Sequence, residues 1–344
     1  MLVITEYNPF RIVPRYNDTM LVKDVGEFGL IEILKKVLES EAFQVDTALL
    51  VGIGDDAAAW TTNVSTTVLT TDTMVEGVHF ARNPGRWNDV GWKAMAVNLS
   101  DIAAMGCQPD YAVVTLGLAK DQPVSELVEI YQGLSAASKK YEFGVVGGDL
   151  VRSDTFFISV SIIGTSQNGL ILQRDTAQSG DTIAVTGTLG TSAGGLRQLA
   201  KDSSANTILS RAHMRPIPRI ETGSLLGVHS VHSAIDISDG LIDDLSKLCT
   251  ASGVGAVIDT SLLPINPTLK TTFPDEWQKL AMTGGEDYEL LFTGPLETIQ
   301  SISTTTDVPV TAIGHMVDGG EVSVRQPNES SITYDTTGWD HFDN

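Results

Sequence analysis

Three scarcities in the 344-residue sequence each exclude a class of protein. Only two cysteines occur, Cys107 and Cys249, which excludes a disulfide framework and a zinc site of four thiolates from one chain. No apolar run approaches the roughly 20 residues of a membrane helix, and the first residues lack a signal peptide's basic start and apolar stretch. Basic residues are few: 22 Lys and Arg face 43 Asp and Glu, a formal charge of −21. Since such a surface repels phosphate backbones, we predict a cytoplasmic protein that binds neither nucleic acid nor membrane.

What the sequence does contain is typical of a globular enzyme, with 42% apolar and 19% charged residues. At about 100–200 residues per domain, the length favours two domains. Apolar strand-like runs alternate with helical periodicity, which favours an α/β fold of α+β layers. We predict an N-terminal extension over residues 1–25 and domains over 26–168 and 169–344. The Ser/Thr-rich stretches 201–207 and 301–306 are predicted to be surface loops.

Several strand-like apolar runs end in an aspartate that falls in a glycine-containing turn. The aspartates in this setting are Asp55, Asp56, Asp72, Asp149, Asp236 and Asp239. Asp101 differs, because it falls in a predicted helix within one turn of Asn98. Gathered carboxylates repel by about 4 kcal/mol per close pair at an effective dielectric of about 20, so they require cations. Oxygen-only clusters suit Mg²⁺ and phosphoryl transfer, whereas scattered structural turns are the alternative interpretation.

Two other nucleotide-binding patterns are excluded. Residues 52–57, GIGDDA, fit a dinucleotide-binding fingerprint, but Asp55 and Asp56 would repel a pyrophosphate at that turn. The β-branched residues that follow are also poor formers of the helix that should bind the phosphate. A P-loop is excluded because the pattern GxxxxGK[ST] does not occur.

An ordered set of motifs runs from about residue 26 to the C-terminus. The motifs are GEFGLI, GIGDDAA, TTDTMVEGVHF, KAMAVNLSDIAAMG, GGD, HMRPIPRI, AIDISDGLIDDL, GGEDYELLFT and GWDHF. In combination they resemble those of thiamine-monophosphate kinases, within the aminoimidazole ribonucleotide synthetase-like ATP-binding superfamily. Residues 1–25 have no counterpart in the family's usual start. Leu150 and Val151 stand where the family often has threonines, so no hydroxyl role is carried over there.

The resemblance implies a two-domain fold that forms a homodimer through the N-terminal domain's sheet, with ATP and several Mg²⁺ ions bound between the domains. The implied Mg²⁺ ligands are Asp56, Thr70, Thr71, Asp72, Asp101, Asp149, Asp236 and Asp239. The implied ATP contacts are Gly148, Asp149, Arg174 and Ser238. The implied thiamine-phosphate pocket contains His79, Glu286 and Trp339.

Several of these residues also have plainer interpretations. His79 could be a core or turn histidine, and Trp339 could anchor the C-terminal tail instead of stacking on a thiamine ring. Sequence alone does not distinguish Glu286 from Asp287 and Glu289 in GGEDYEL. Arg174 could be a surface arginine, Asp55 could act through indirect contacts, and His213 is predicted to be structural.

The implied activity is ATP-dependent phosphorylation of thiamine monophosphate to thiamine diphosphate, the last step in making that cofactor. The attacking phosphate oxygen is already anionic near pH 7, since its second pKa is about 6, so no general base is required. Asp72, Asp101 and Asp149 would assist direct in-line transfer through the metal. Two alternatives are another ATP-dependent synthetase of the superfamily and a noncatalytic nucleotide-binding protein.

Overall fold

The computed structural model describes residues 49–51, 55–56, 58–61, 66–82, 86–119, 122–229, 231–326 and 331–332. The chain divides into two units, one of Leu50–Gly338 and one of Met1–Leu49 with Trp339–Asn344. Trp339 and the motif GEFGLI of residues 26–31 lie outside the described residues. Within the described ranges, no helix has the length and apolar character needed to cross a membrane.

Six strands of the first half form one sheet in the order β1-β2-β3-β6-β4-β5. They are β1 (Leu49–Val51), β2 (Ala58–Thr61), β3 (Thr66–Val75), β4 (Gln108–Leu118), β5 (Gly144–Arg152) and β6 (Phe157–Thr165). β4 and β5 are parallel, whereas β6 is antiparallel to both β3 and β4. Helices α1 (Trp87–Ala104) and α2 (Val124–Tyr141) belong to this half. Strand β2, not a helix, follows the glycines of residues 52–54, which agrees with the exclusion of a dinucleotide fingerprint.

Seven strands of the second half form another sheet in the order β13-β12-β9-β11-β7-β10-β8. They are β7 (Thr182–Thr186), β8 (Ser233–Asp236), β9 (Gly255–Asp259), β10 (Leu290–Gly294), β11 (Val310–Val317), β12 (Val322–Arg325) and β13 (Ser331–Ile332). The helices are α3 (Thr191–Lys201), α4 (Ile208–Met214), α5 (Ile220–Val228), α6 (Leu241–Ser252), α7 (Pro267–Thr272), α8 (Trp277–Thr283) and α9 (Leu296–Thr305). Two sheets with interleaved helices confirm the predicted mixed α/β fold.

The predicted loop over 301–306 is wrong, because helix α9 continues to Thr305. Ile299 and Ile302 lie one turn apart and are both buried, so apolar spacing holds the helix while its Ser and Thr residues face solvent. The predicted domain division at residue 168 stays a prediction, since both sheets, apart from Leu49 of β1, lie in the unit Leu50–Gly338.

Helix α1 is almost entirely buried and joins the two sheets. Met95, Leu99 and Ile102 are fully buried in an apolar cluster that also contains Leu290 and Phe292 of β10. Full burial of a large apolar side chain contributes roughly 1.5–3 kcal/mol. Because α1 has no solvent-facing side of any size, its polar residues point into the protein.

Helices α1 and α2 pack unusually closely, and glycine makes this possible. A Cβ atom on Gly91 would lie 2.0 Å from the carbonyl oxygen of Ile130, and one on Gly133 would lie 2.0 Å from that of Asn88. Both separations are far below any permitted contact. The two glycines therefore allow each helix to touch the backbone of the other.

We expect Gly133→Ala to destabilise the protein by about 1–3 kcal/mol, the usual cost of overpacking. The added methyl group would force α1 and α2 apart. Thermal unfolding of the purified variant measures the effect. Gly320→Ala is the matched control, because a Cβ there meets nothing within 4 Å. Equal melting temperatures for the two variants would contradict the close-packing account.

Candidate active site

Three aspartates from separate parts of the chain meet where α1 faces the second sheet. Oxygen atoms of Asp56, Asp101 and Asp236 lie within 4.8 Å of one another. The Thr70 hydroxyl of β3 donates to Asp101 Oδ2 at 2.5 Å, and the Ser100 hydroxyl donates to Asp236 Oδ2 at 2.6 Å. These three aspartates and the two hydroxyl residues thus come from four parts of the chain: the β1–β2 turn, β3, α1 and β8.

The cluster is electrostatically unfavourable when all three groups are ionised. Burial, reinforced by the neighbouring carboxylates, raises the pKa values of Asp56 and Asp101 well above their ordinary range. Burial also raises the pKa of Asp236, although the Ser100 hydrogen bond opposes this. Asp56 Oδ2 is buried and has no hydrogen-bond partner among the described residues. Closely spaced oxygen donors with an unsatisfied member fit a divalent cation such as Mg²⁺.

Arg174 supplies positive charge to this cluster. Its Nε lies 3.2 Å from Asp55 Oδ1, and its Nη2 contacts Asp56 Oδ1. Asp55 also accepts the backbone N–H groups of Arg174 at 3.2 Å and Asp56 at 2.8 Å. Arg174 is therefore held beside the cluster and is not a surface arginine, and Asp55 is one of the carboxylates that it contacts.

A second group of acidic residues, formed by Asp239, Asp243 and Asp244, surrounds Lys247. Lys247 Nζ lies 2.5, 2.7 and 2.9 Å from oxygens of Asp239, Asp243 and Asp244. The Asp244 carboxylate also accepts the backbone N–H groups of residues 238–240, at 3.0, 2.9 and 3.0 Å. Asp244 and Lys247 were not among the predicted site residues, although their three-residue spacing on a helix favours an ion pair. Asp244 shapes the turn that carries Ser238 and Asp239.

Asp72 lies near both acidic groups. It belongs to the row of β3 residues that includes buried Val68, Thr70 and Met74, yet solvent reaches its side chain. The protein packed around it partly desolvates its carboxylate and, together with Asp236 and Asp239, raises its pKa to about 6. Asp72 is therefore a solvent-accessible carboxylate at the edge of the cluster.

Thr71 is not brought to the cluster through its side chain. Successive residues of a strand face opposite sides of the sheet, so Thr71 faces away from Thr70 and Asp72. Its hydroxyl donates to the carbonyl oxygen of Val160 at 3.0 Å and accepts from the Ser161 hydroxyl at 2.9 Å. In the single chain this hydroxyl belongs to the outer face of the first sheet.

Gly148 and Asp149 are also separate from the cluster in the single chain. Both lie on exposed edge strand β5, where Asp149 is in register with Thr115 of β4. Thr115 pairs in turn with Ser159, which pairs with Thr73. This register places Asp149 on the outer face, the same side as Thr71.

Glu286 forms a different site with residues from both halves. Lys93 Nζ of α1 lies 3.0 Å from each Glu286 carboxylate oxygen, and His213 Nδ1 of α4 lies 3.2 Å from Oε2. Burial alone would raise the pKa of Glu286, but Lys93, His213 and His79 together lower it below its usual value. The Glu286 N–H donates to the carbonyl oxygen of Ser238 at 2.7 Å. The predicted thiamine-pocket residue is thus bonded directly to the predicted ATP-binding turn.

The structure distinguishes the three acidic residues of GGEDYEL. Asp287 accepts two backbone N–H groups at the start of α3, at 2.6 and 3.0 Å. Glu289 is buried in a two-point ion pair with Arg219, at 2.5 and 2.6 Å. Glu286 instead keeps a side chain that is 28% exposed. Only Glu286 of the three can present its carboxylate to a ligand.

Sequence analysis missed Lys93 and assigned His213 a purely structural role. Both contact Glu286, and burial lowers the pKa of His213 to about 4. His79 lies close enough to influence the Glu286 pKa, and its Nδ1 accepts the Val75 N–H at 3.0 Å. A lysine within the apolar helix motif KAMAVNL was the available signal for a buried ion pair.

The fold matches one class of proteins over most of its length. The model of the AIR synthase related protein N-terminal domain matches residues 54–166, and that of the C-terminal domain matches residues 178–326. The first range contains strands β2–β6 of the first sheet, and the second contains strands β7–β12 of the second sheet. The protein is therefore an AIR synthase related protein.

Close relatives define the family within that class. The chain is 36% identical over 333 residues to a thiamine-monophosphate kinase of Aquifex aeolicus, covering 94% of this chain and 100% of the relative. It is 35% identical over 306 residues to that of Bacillus subtilis, covering 85% and 93%. The chain belongs to the thiamine-monophosphate kinase family.

Solved structures agree with this assignment. AaThiL complexed with AMPPCP and TMP matches with a TM-score of 0.83 and 35% identity, covering 94% of this chain and 100% of that one. The thiamine-monophosphate kinase of Stenotrophomonas maltophilia matches with a TM-score of 0.70 and 35% identity, covering 86% and 95%. The hydrogenase maturation protein HypE, at 17% identity and a TM-score of 0.65, shares the fold alone.

At a pH high enough to ionise the cluster, we expect Asp101→Asn to raise the melting temperature in EDTA, because it removes one charge from the repelling cluster while its amide oxygen still accepts from Thr70. A gain of about 1 kcal/mol would raise the melting temperature by roughly 2 °C. With millimolar Mg²⁺ the order should reverse, since the wild type gains a cation. Exposed Asp275→Asn is the control. A variant less stable than wild type in EDTA would contradict the repulsion account.

Proposed function

We propose that this protein transfers the γ-phosphoryl group of ATP directly to the phosphate of thiamine monophosphate, giving thiamine diphosphate. The observation that carries the proposal is the placement of the Asp56–Asp101–Asp236 cluster beside Glu286. One element links them, the turn at Ser238, whose carbonyl oxygen accepts the Glu286 N–H. The proposed site for Mg²⁺ with the ATP phosphates and the proposed acceptor pocket are thus built on adjoining residues. The relatives that the chain matches over most of its length are thiamine-monophosphate kinases.

Mg²⁺ is part of the proposal because the ligand set fits it. The side chains proposed to hold the ions are those of Asp56, Thr70, Asp72, Asp101, Asp149, Asp236 and Asp239. Thr71 is left out of this set, because its side chain faces away from the cluster. When bound, Mg²⁺ offsets the charge of the ATP phosphates and withdraws electron density from the transferring phosphoryl group. Several ions are proposed, since ATP alone brings about four negative charges to these carboxylates.

The chain's own residues bind and orient the two substrates. Arg174 presents a planar set of donors to ATP phosphate oxygens and is held in place by Asp55. Ser238, Gly148 and Asp149 are the other proposed ATP contacts. His79, Glu286 and Trp339 are proposed to bind thiamine monophosphate, with Trp339 stacking on a thiamine ring.

Direct transfer fits the nucleophiles that the structure describes. The acceptor phosphate is already anionic at neutral pH and needs no general base. Cys107 and Cys249 are buried, and burial raises both thiol pKa values to about 12. Neither thiol is available to form a covalent intermediate. The proposed compartment is the cytoplasm.

The first test measures ADP release and thiamine diphosphate formation from ATP and thiamine monophosphate. Activity should require millimolar Mg²⁺ and disappear in EDTA. Asp72→Asn and Asp101→Asn should each lower turnover at least about 100-fold, because each weakens the metal site. Asp149→Asn should do the same if the proposed set is complete, whereas exposed Asp275→Asn should retain turnover.

The outcomes separate this function from its two alternatives. ATP binding without thiamine diphosphate formation would indicate a noncatalytic nucleotide-binding protein. ADP release only with a different acceptor would indicate another synthetase of the class. Undiminished ATP affinity in EDTA would contradict the metal site itself.

The stereochemistry of transfer tests the mechanism. With a chirally labelled γ-phosphate, a single in-line displacement inverts the configuration at phosphorus. Retention would require two successive displacements and hence a phosphoenzyme. We expect inversion, because the acceptor oxygen can attack without an intermediate.

A homodimer through the outer face of the first sheet is also proposed. Leu69, Ile163 and Tyr111 are cross-strand neighbours on this face and are exposed by 37%, 37% and 56%. Val113, one register row further, is 43% exposed. A contiguous exposed apolar patch is typical of an interaction surface. Asp149 lies on the same face, so pairing of two such faces would place it beside the second copy.

Tyr111→Lys should convert the dimer to a monomer, because it places a charge in the apolar patch. Light scattering after gel filtration measures the mass. Leu262→Lys is the matched control, since Leu262 is 48% exposed but belongs to the second half. A Tyr111→Lys variant that remains dimeric would contradict the proposed interface.

A further inference from the structure

Lys93 is a buried cation with a fixed partner. It lies in the middle of α1, is 2% exposed, and its ammonium group contacts both carboxylate oxygens of Glu286 at 3.0 Å. A buried charge is tolerated only when it is paired, so this contact determines where the Glu286 side chain lies. Lys93 comes from the first half of the chain and Glu286 from the second.

His213 adds a second constraint on the same carboxylate. Lys93 Nζ lies 3.4 Å from His213 Nε2, so the lone pair of a neutral imidazole faces the ammonium group. The proton is then on Nδ1, which lies 3.2 Å from Glu286 Oε2 and 3.1 Å from the Ser192 hydroxyl. Burial, with Lys93 nearby, keeps the histidine neutral at physiological pH. The Nδ1–H group is thus a donor to Glu286.

The backbone of Glu286 is constrained as well. Its φ angle is +65°, in the left-handed region that non-glycine residues seldom adopt. The Glu286 N–H donates to Ser238 at 2.7 Å, and the Tyr288 N–H donates to Ile237 at 2.9 Å. A strained conformation that the surroundings maintain is a common property of ligand sites.

The Glu286 carboxylate can accept further hydrogen bonds, and its side chain is 28% exposed. An ionised carboxylate offers about four lone-pair positions, and Lys93 with His213 occupies only part of them. Among the described residues, the other ionisable groups that interact electrostatically with it are His79 after β3 and the neighbouring Tyr288. Because Lys93 already offsets the negative charge, the carboxylate is suited to accepting an N–H hydrogen bond rather than attracting a distant cation.

Thiamine monophosphate offers two different features to such a group. Its thiazolium ring carries a positive charge but no N–H donor, whereas its aminopyrimidine ring carries a neutral amino group with two N–H donors. We propose that Lys93 and His213 are positioning residues that hold Glu286 as the acceptor for the aminopyrimidine amino group, and so set the enzyme's selectivity for that ring. This inference rests on the proposed function.

The test compares thiamine monophosphate with oxythiamine monophosphate, in which an oxo group replaces the amino group. The wild type should prefer the amino substrate in kcat/KM by at least about 100-fold, because the analogue lacks the donor. Lys93→Met should raise the KM for thiamine monophosphate by about 10-fold or more and reduce this preference to a few-fold. The KM for ATP should stay within about twofold. Lys139→Met, at an exposed lysine of α2, is the control for loss of one charge.

The pH dependence provides a readout that loss of packing would not change. Without Lys93, burial dominates and the Glu286 pKa rises, so Glu286 becomes protonated at a higher pH. The acid limb of kcat/KM for thiamine monophosphate should therefore move to higher pH in Lys93→Met. The acceptor phosphate and Asp72 titrate near pH 6 in every variant and keep an acid limb in Glu286→Gln. The shift caused by Lys93→Met should be absent when Glu286→Gln is also present, because that side chain does not titrate.

A pair of variants at His213 keeps the test decisive if Lys93→Met does not fold. His213→Asn keeps an N–H donor near the Nδ1 position and should retain most of the affinity for thiamine monophosphate. His213→Gln places its amide near Nε2 instead and should raise that KM about 5-fold or more. Equal effects of the two variants on both substrates would overturn the positioning role.

Wild-type results separate this inference from the proposed function. Failure of the wild type to make thiamine diphosphate would refute the function itself. Normal wild-type activity, with parallel KM increases for ATP and thiamine monophosphate in Lys93→Met and an unmoved acid limb, would refute only the role given to Lys93 and His213.

Discussion

The burial of helix α1 is the constraint on which both parts of the site depend. Its polar groups have almost no access to water, so each must find a partner within the protein. Lys93 pairs with Glu286, Ser100 donates to Asp236, and Asp101 accepts from Thr70. Each partner belongs to a different element. The helix therefore brings the acidic cluster and the Glu286 pocket together, and the apolar cluster around Met95 and Leu99 keeps it in place.

The negative charge of the two acidic groups is offset by different partners and to a different extent. Asp239, Asp243 and Asp244 surround Lys247. The other carboxylate oxygen of Asp244 accepts hydrogen bonds from the backbone of the turn at residues 238–240. Asp244 thereby stabilises the turn that carries Ser238 and Asp239. The Asp56–Asp101–Asp236 cluster has Arg174 at one side and an unpartnered buried oxygen on Asp56. The charge of this cluster is incompletely neutralised, an arrangement that is unfavourable for the free protein and typical of functional sites.

The two faces of the first sheet have separate roles. Alternation along β3 directs Thr70 and Asp72 to one face and Thr71 to the other, so a continuous motif supplies both. The inner face packs on α1 and serves the acidic cluster. The outer face carries Asp149 and the apolar patch around Tyr111. Adjacent motif residues therefore contribute to different surfaces, which sequence spacing alone does not reveal.

The sequence by itself determined the mixed α/β fold, the family and the repeated strand–turn aspartates, because periodicity and ordered motifs are local properties. The loop predicted from the Ser/Thr-rich composition of residues 301–306 was wrong, because the apolar spacing of α9 extends into this stretch. Only the tertiary structure decided between Glu286, Asp287 and Glu289, and it placed Lys93 and His213 beside Glu286. These contacts join residues 73 to 193 positions apart in the chain. Their partners are set by the packing of α1 between the two sheets, which no local pattern records.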